Sequence, residues 1–443
     1  MPILHATQVL LSFDTEDFTS PADAEGIKEI AEICTRQNVT AHFATVGYVA
    51  RQLVEWKRED VIEAMRPHVK ISHTLHHSIH PNNLEVADAA DWRWAYATIL
   101  EREREGLDLI RSHTGQPRVL AMVPGGNCDA YLLYYAAAEL GVRFYLGATF
   151  AYATRSMAHF ANQCVIGYGV NFEEYVLPPN YPKYEPERLL DALAKYETTC
   201  LWCHPNIVHA LQFWDGLNYN GRNAEWGKWV IAPRRSEADA KEYLRRIEDI
   251  IRRIKADRRF EFVTVEQLEK RLASRVAINR SDLPAIMASL AREFGPVRAP
   301  ESWSVADVFA AAVGFLRGAE RHEPGIVYGF LDEPEGVVEP VRVSRSDLVA
   351  AAEKVDLSTF LPSAIDVGST RIGPADFLFA ALDALISDAE SLTVRPREQL
   401  GGFTVFPDLA KQYFKGTWLH RADFNDIRAS DRLRLQNWTA RYG

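Results

Sequence analysis

The chain has 443 residues, of which 47% are hydrophobic and 25% charged, the make-up of an ordinary globular protein of two or three domains. With 60 acidic against 50 basic residues its formal charge is −10, which excludes the basic footprint of a nucleic-acid binder. Five cysteines (Cys34, Cys128, Cys164, Cys200 and Cys203) form an odd, sparse set that reads as free thiols and excludes a disulfide framework.

The start, Met1-Pro2-Ile3-Leu4-His5, has neither a basic region nor a long apolar run, so no signal peptide is expected and the location expected is the cytoplasm. No apolar run approaches the ~20 residues that span a bilayer. Gln8 to Phe13 is a continuous apolar run that stops at a polar cluster, the pattern of a buried strand. Ala24 to Gln37 sets Ile27, Ile30, Ala31 and Cys34 at helical spacing. Val39 to Thr45 and Val69 to Ser72 read as strands, and Trp94 to His113 as a long helix with Glu and Arg at exposed spacings. Arg118 to Val123, Arg143 to Leu146 and Thr199 to Cys203 are further strands. Glu237 to Lys255 reads as a charged amphipathic helix, and Phe260 to Leu272 as a last strand running into a last helix. Strand–helix alternation predicts an α/β fold, a parallel sheet with helices outside, open or closed into a barrel. In such folds the functional groups gather at the C-terminal ends of the strands.

From Val276 the texture changes. Residues 276–300 read as a linker with one short helix, closed by Gly295-Pro296 and Ala299-Pro300. In residues 301–443 a helix-start pattern recurs before apolar runs: Ser304 to Asp307, Ser344 to Asp347, and Gly373 to Asp376. In the first two, Ser can accept a first-turn N–H and Asp can return a bond, as in a capping box; the third has Pro374 at the first helical position. A smaller, mainly helical C-terminal domain is expected.

Four segments of the first half place reactive side chains just past a strand. In Phe13-Asp14-Thr15-Glu16-Asp17-Phe18, three carboxylates within four residues repel unless solvated or bound to a cation. In Ser72 to His80, His73 and His77 are four apart, so on a helical turn both imidazoles point the same way and can share a metal ion. Two His and one carboxylate leave coordination positions open for water and substrate. In Met122 to Asn127, Gly125 and Gly126 let backbone approach a ligand and offer N–H groups to an oxyanion, or with Pro124 form a plain turn. In Leu201 to Pro205, His204 ends a strand and can donate a proton to a leaving group. Cys200 to His204 also matches the haem-attachment spacing, but in an unexported strand the two cysteines read as core.

By the order and spacing of these segments, residues 1–275 resemble the polysaccharide deacetylase (NodB-homology, carbohydrate esterase) superfamily. The resemblance implies a distorted (β/α) barrel. It implies Asp14 as general base, Glu16 as metal ligand with Asp17 as the alternative, and His73 and His77 as the other ligands, from the match of His73-Thr74-Leu75-His76-His77. His204 would be the general acid, although two residues separate it from Leu201 where the motif has one. Phe262 to Leu268 is similar to the family's closing strand and helix. The third motif departs: Met122 stands where the family has an Arg that braces the base, and Gly125 where it has Tyr. Another cation must then orient Asp14, or its basicity differs. No acidic partner for His204 is found.

The cofactor implied is a divalent metal of the zinc type. Thr74, Pro124, Gly125 and Gly126 are the candidate substrate contacts. Trp214 and Trp226, with Tyr219 and Trp229, either stack on sugar rings or pack the insert that follows His204. The function implied is removal of N-acetyl groups from an amino sugar or polysaccharide. Hydrolysis of cyclic amides, as in allantoinase-like relatives, and a non-catalytic glycan- or protein-binding role are the alternatives. Partners expected are a carbohydrate or small amide substrate, with no nucleic acid and no membrane span, and a homo-oligomer is open through the C-terminal domain. Asp347 to Leu378 is faintly similar to pseudomurein-binding-type repeats.

Overall fold

The computed structural model describes residues 6–147, 155–177, 184–272, 275–298, 302–387, 389–401, 420–421, 423–425 and 427–443. It divides into two compact units: Met1–Met157, Gln163–Leu272 and Gln412–Ala429 in the first, and Ala158–Asn162, Ala273–Lys411 and Ser430–Gly443 in the second. No helix of the described residues is long and apolar enough to cross a membrane.

In the first unit β1 (Thr7–Thr15) leads to α1 (Ala24–Arg36), β2 (His42–Thr45), α2 (Gly47–Glu55), α3 (Glu59–Met65) and β3 (Val69–Ser72). Then come α4 (Asn83–Ala87), α5 (Trp92–Thr114), β4 (Ala121–Met122), α6 (Tyr131–Glu139) and β5 (Phe144–Gly147). After β6 (Ala158–Phe160), which belongs to the second unit, the chain forms β7 (Gln163–Gly167), β8 (Val170–Asn171), α7 (Glu173–Val176) and α8 (Pro186–Leu193). β9 (Thr198–Cys203), α9 (Trp214–Asn218), α10 (Glu237–Ala256), β10 (Phe260–Phe262) and α11 (Val265–Arg271) complete it.

All pairings among these strands are parallel, in the order β7-β5-β4-β3-β2-β1-β9-β8, with β10 beside the start of β1. β7 pairs with β5 at one edge and β8 with β9 at the other, yet only Tyr168 and Gly169 separate them in the chain. The sheet therefore curls round on itself, the distorted (β/α) barrel that the family resemblance implies.

Side chains alternate along each strand, so the barrel has two faces. Val9, Leu11 and Phe13 of β1, with Leu201 and Cys203 of β9, pack outward on the isoleucines of α1 and α10. Leu10, Ile71, Ala121, Phe144, Ile166 and Cys200 fill the other face, the interior. Each such fully buried aliphatic or aromatic side chain contributes roughly 1.5–3 kcal/mol. Cys200 and Cys203, three apart on a strand, fall on opposite faces and are free core thiols.

The second unit contains α12 (Leu283–Arg292), α13 (Val305–Leu316), α14 (Arg345–Lys354) and α15 (Pro374–Ile386). It also contains antiparallel pairs that the helical expectation omits: β11 (Ile278–Asn279) with β12 (Arg321–His322), β13 (Val341–Ser344) with β16 (Ser391–Val394), and β14 (Ile365–Val367) with β15 (Thr370–Ile372). β6 pairs with β17 (Arg441–Tyr442). These strands are short and two-stranded, too brief for an alternation signal. Residues 276–300, expected as a linker, lie inside this unit, with Leu283, Ile286 and Leu290 buried. The three helix starts hold, with differences. Ser304 and Asp307 form a reciprocal capping box. Ser344 accepts the Asp347 N–H at 3.0 Å, but Asp347 takes the Ser344 hydroxyl at 2.6 Å in place of its N–H. At the third, the Gly373 N–H donates to Asp376 at 3.1 Å.

Candidate metal centre and its surroundings

Pleat parity places the site. On β1, Asp14 shares the interior face with Leu10 and Ser12, and β1 runs to Thr15, so Asp14 lies on the strand itself. His73 continues the parity of Val69 and Ile71, His204 that of Cys200 and Trp202, and Tyr168 that of Cys164 and Ile166. All four side chains thus turn inward at the C-terminal ends of β1, β3, β9 and β7, and all but His204 are buried.

The segment from His73 to His77 is not the helical turn that its spacing suggests. Thr74 (φ 65°) and His77 (φ 51°) are left-handed, and the Thr74 hydroxyl accepts the His77 N–H at 3.2 Å. The carbonyls of Thr74 and Leu75 take the first N–H groups of α2, from Gly47 and Tyr48. This pinned turn brings the two imidazoles edge to face at 4.8 Å.

Glu16 Oε2 lies 3.1 Å from His77 Nε2 and 3.4 Å from His73 Nε2, and the three possible ligand atoms are within 4.8 Å of one another. The proton positions follow from the outer partners. His73 Nδ1 faces the Val123 carbonyl at 3.2 Å, which can only accept, so Nδ1 carries the hydrogen and Nε2 a lone pair. That Nε2 is buried without a hydrogen-bond partner. His77 Nε2 accepts the Gly126 N–H at 3.0 Å, and its Nδ1 meets the Ser78 hydroxyl at 2.5 Å. Two imidazole lone pairs, the one on His77 accepting the Gly126 N–H, and a carboxylate oxygen therefore converge in a buried place, which fits a divalent cation with nitrogen and oxygen ligands. Burial pushes the Glu16 carboxyl up, but the neighbouring His77 and His204 outweigh it, holding the carboxyl well below its ordinary range.

Asp17 takes no part in this cluster. Its carboxylate accepts the backbone N–H and the hydroxyl of Thr19, both at 2.7 Å. Burial and the neighbouring Asp23 push it well above its ordinary value.

Asp14 and His204 flank the cluster. Asp14 Oδ1 accepts the Tyr168 hydroxyl at 2.7 Å, and Ser12 lies 2.8 Å from the same hydroxyl. A neutral phenol thus holds one oxygen of Asp14, and His204 stands 3.8 Å from the other, where the sequence left open another cation or an altered basicity. Burial raises the Asp14 carboxyl against the opposing charges of His73 and His204. His204 Nε2 is 3.8 Å from Asp14 Oδ2 and 3.9 Å from Glu16 Oε2. Its Nδ1 and its backbone N–H both meet Glu173 Oε1 at 2.8 Å. Burial favours the neutral ring, but Glu173 and the other two carboxylates outweigh it and raise His204 to about 10.

The remaining candidates separate. Gly125 passes so close to His77 that a Cβ would stand 3.0 Å from its Cα and its ring. The N–H turned toward the ligand atoms is that of Gly126 (φ 59°), following the extended Pro124. Thr74 is buried in its own turn. Trp214 is 1% exposed and donates its indole N–H to Glu16 Oε1 at 3.1 Å, so it packs the insert and offers no open face. Tyr219 is equally buried, and Trp229 donates to its hydroxyl. Trp226 is 47% exposed, stacked on Phe18 at 5.8 Å with Arg51 against it at 4.8 Å.

Four residues of the site escape sequence reasoning: Tyr168, Glu173, Ser78 and Asp215. Tyr168 carried a usable signal, since it extends the apolar alternation of Cys164 and Ile166. Glu173 sits on a single helical turn, and Asp215 in the insert after β9; neither position has a periodic pattern to expose it.

No protein-family model and no curated protein sequence matches the chain. Among solved structures the chain is similar to a family 4 carbohydrate esterase from Streptomyces lividans, at 12% identity and a TM-score of 0.34 over 58% of this chain and 93% of that one. It is similar to a peptidoglycan deacetylase from Bacillus subtilis, at 14% identity and a TM-score of 0.31 over 60% and 91%. It is also similar to a 4-alpha-glucanotransferase from Thermococcus litoralis, at 9% identity and a TM-score of 0.41 over 61% of this chain and 41% of that one.

Proposed function

We propose that the first unit is a metal-dependent amide hydrolase that removes N-acetyl groups from an amino-sugar or polysaccharide substrate. The observation that carries this reading is the convergence of Glu16, His73 and His77 at 3.1–3.4 Å, with Asp14 and His204 on its flanks. Glu16, His73 and His77 would hold the cation, which when bound supplies Lewis-acid polarisation of the amide carbonyl and an acidified water.

The protein's own groups divide the proton work. Asp14, held by Tyr168, is the general base that takes a proton from the attacking water. His204, kept protonated by Glu173, gives a proton to the departing amine nitrogen. The Gly126 N–H, which bonds His77 Nε2 while no cation is held there, is the backbone donor beside the cluster that would serve the reacting carbonyl oxygen. Burial of the cluster strengthens each of these charges by excluding water. Trp226 offers the exposed aromatic surface of the insert to a sugar ring.

The phenolic brace on Asp14, where deacetylase-type sites carry a guanidinium, favours a second reading: hydrolysis of a cyclic amide on the same scaffold. Zinc-loaded protein assayed on N-acetylglucosamine oligomers and on a cyclic ureide separates the two. Acetate release, lost in Asp14→Asn at undiminished zinc content, is expected. Ring opening without acetate release assigns the second reading, and zinc-loaded protein inert toward both contradicts the hydrolase.

A further inference from the structure

The side chains behind the three ligand candidates show an arrangement that the proton chemistry above leaves unused. Ser78 follows His77, and its hydroxyl donates to Asp215 Oδ2 at 3.1 Å, so its oxygen is the acceptor for His77 Nδ1–H at 2.5 Å. The chain of donors therefore runs one way, from imidazole to hydroxyl to carboxylate. Asp215 is 1% exposed, and its other oxygen accepts the Gly216 N–H at 2.7 Å, which fixes the carboxylate's orientation. The residue before it, Trp214, donates to Glu16 Oε1 at 3.1 Å and leaves Oε2 to face the two imidazoles. Two consecutive residues of one short helix thus reach two different ligands.

We propose that Trp214 and Asp215, the latter through Ser78, are positioning residues that orient Glu16 and His77 for the cation. Resting on the metal site proposed above, this assigns the insert after His204 to the metal centre itself, beyond any part in substrate stacking. The physical reason is tautomer control. An imidazole whose Nδ1–H is held by an anion-backed hydroxyl presents Nε2 as a fixed lone pair of raised basicity. A carboxylate with one oxygen tied to an indole N–H cannot rotate that oxygen into the site. Neither effect needs Trp214, Ser78 or Asp215 to touch substrate.

The test is Zn2+ affinity of the purified full chain, by competition with a chromogenic chelator, for wild type, Ser78→Ala, Asp215→Asn, the double variant and Trp214→Phe. Ser78→Ala and Asp215→Asn are each expected to weaken Zn2+ binding by roughly ten- to a hundred-fold. The double variant should lose little more than the worse single one, because both act on His77 through one chain of bonds. Trp214→Phe keeps the ring and loses the donor, and should weaken binding less. Circular dichroism of the zinc-free proteins checks folding, and if Asp215→Asn does not fold, Ser78→Ala decides alone. Folded Ser78→Ala or Asp215→Asn with wild-type affinity overturns the inference. Wild type that binds no Zn2+ overturns the metal site itself, a different failure from ligand binding that ignores the outer residues.

Discussion

Tyr168 donates to a carboxylate buried at the end of β1, and a hydrogen bond to a buried charged group is worth about 1.5–3 kcal/mol. Tyr168→Phe should therefore lower turnover by roughly ten- to a hundred-fold. Zinc content should not change, since Tyr168 bonds Asp14 and Ser12 and none of the ligand candidates. Turnover at equal zinc occupancy, unchanged from wild type, would contradict the bracing role. Asp129 gives a test independent of the metal. Burial raises its carboxyl to about 7, against the opposing bonds from Tyr145 and Tyr134. The folded form then holds a proton that the unfolded chain releases near pH 4, so this group's stabilisation is full below that pH and is lost as pH rises through about 7. In the window between, wild type should lose about 1.4 kcal/mol per pH unit more than Asp129→Asn in urea unfolding. Equal slopes would show that Asp129 titrates normally. At this scale Asp14, Glu16, His73, His77 and His204 were legible, because each stands beside a strand whose pattern announces where it ends. Glu173 and Asp215 were not, because their partners come from distant parts of the chain; Tyr168 had only the alternation of Cys164 and Ile166 to mark it, and Ser78 gains its part only from Asp215, 137 residues on.

Strands were read better than the loops that follow them. The apolar runs of β1, β3, β5 and β9 fix their positions within a residue or two, whereas Arg118 to Val123 shrinks to Ala121–Met122. Spacing alone misled at His73 and His77: a four-residue interval suits a helix, but the left-handed Thr74 and His77 build a turn that achieves the same convergence. The glycines opposite that turn have a steric reason to be there. A Cβ on Gly125 would press on His77 at 3.0 Å, so Gly125→Ala should overpack the loop by about 1–3 kcal/mol and weaken Zn2+ binding together with it. Unchanged affinity in a folded Gly125→Ala variant would mean that the turn gives way without moving the ring. In the second unit, the helix starts were legible and the strand pairs between them were not. Ser304 is buried and bonded in both directions, whereas Ser344 is part-buried and bonds Asp347 through its hydroxyl alone. Ser304→Ala should therefore cost about 1–2 kcal/mol in thermal unfolding, and Ser344→Ala less. The reverse order would contradict the assignment of the stronger cap.

The first unit is a curled, parallel (β/α) barrel and the second a set of helices and short antiparallel strand pairs, and among the described residues the metal-ligand cluster belongs to the first. Curling of the sheet is what turns separated segments into a site, since the chain passes from β7 beside β5 to β8 beside β9 through Tyr168 and Gly169. A cation bound to the folded barrel and not to the unfolded chain must stabilise it. At a free Zn2+ concentration of about a hundred times Kd the gain is about 2.7 kcal/mol, lost again on adding a chelator. The most direct measurement is the content of divalent metal per chain, by elemental analysis after dialysis against Zn2+ and removal of excess, in wild type and in His73→Ala. Wild type is expected to retain one Zn2+ per chain and His73→Ala to lose it while still folded. A wild-type protein without metal, or a His73→Ala variant that keeps the same content, would contradict the metal centre of Glu16, His73 and His77.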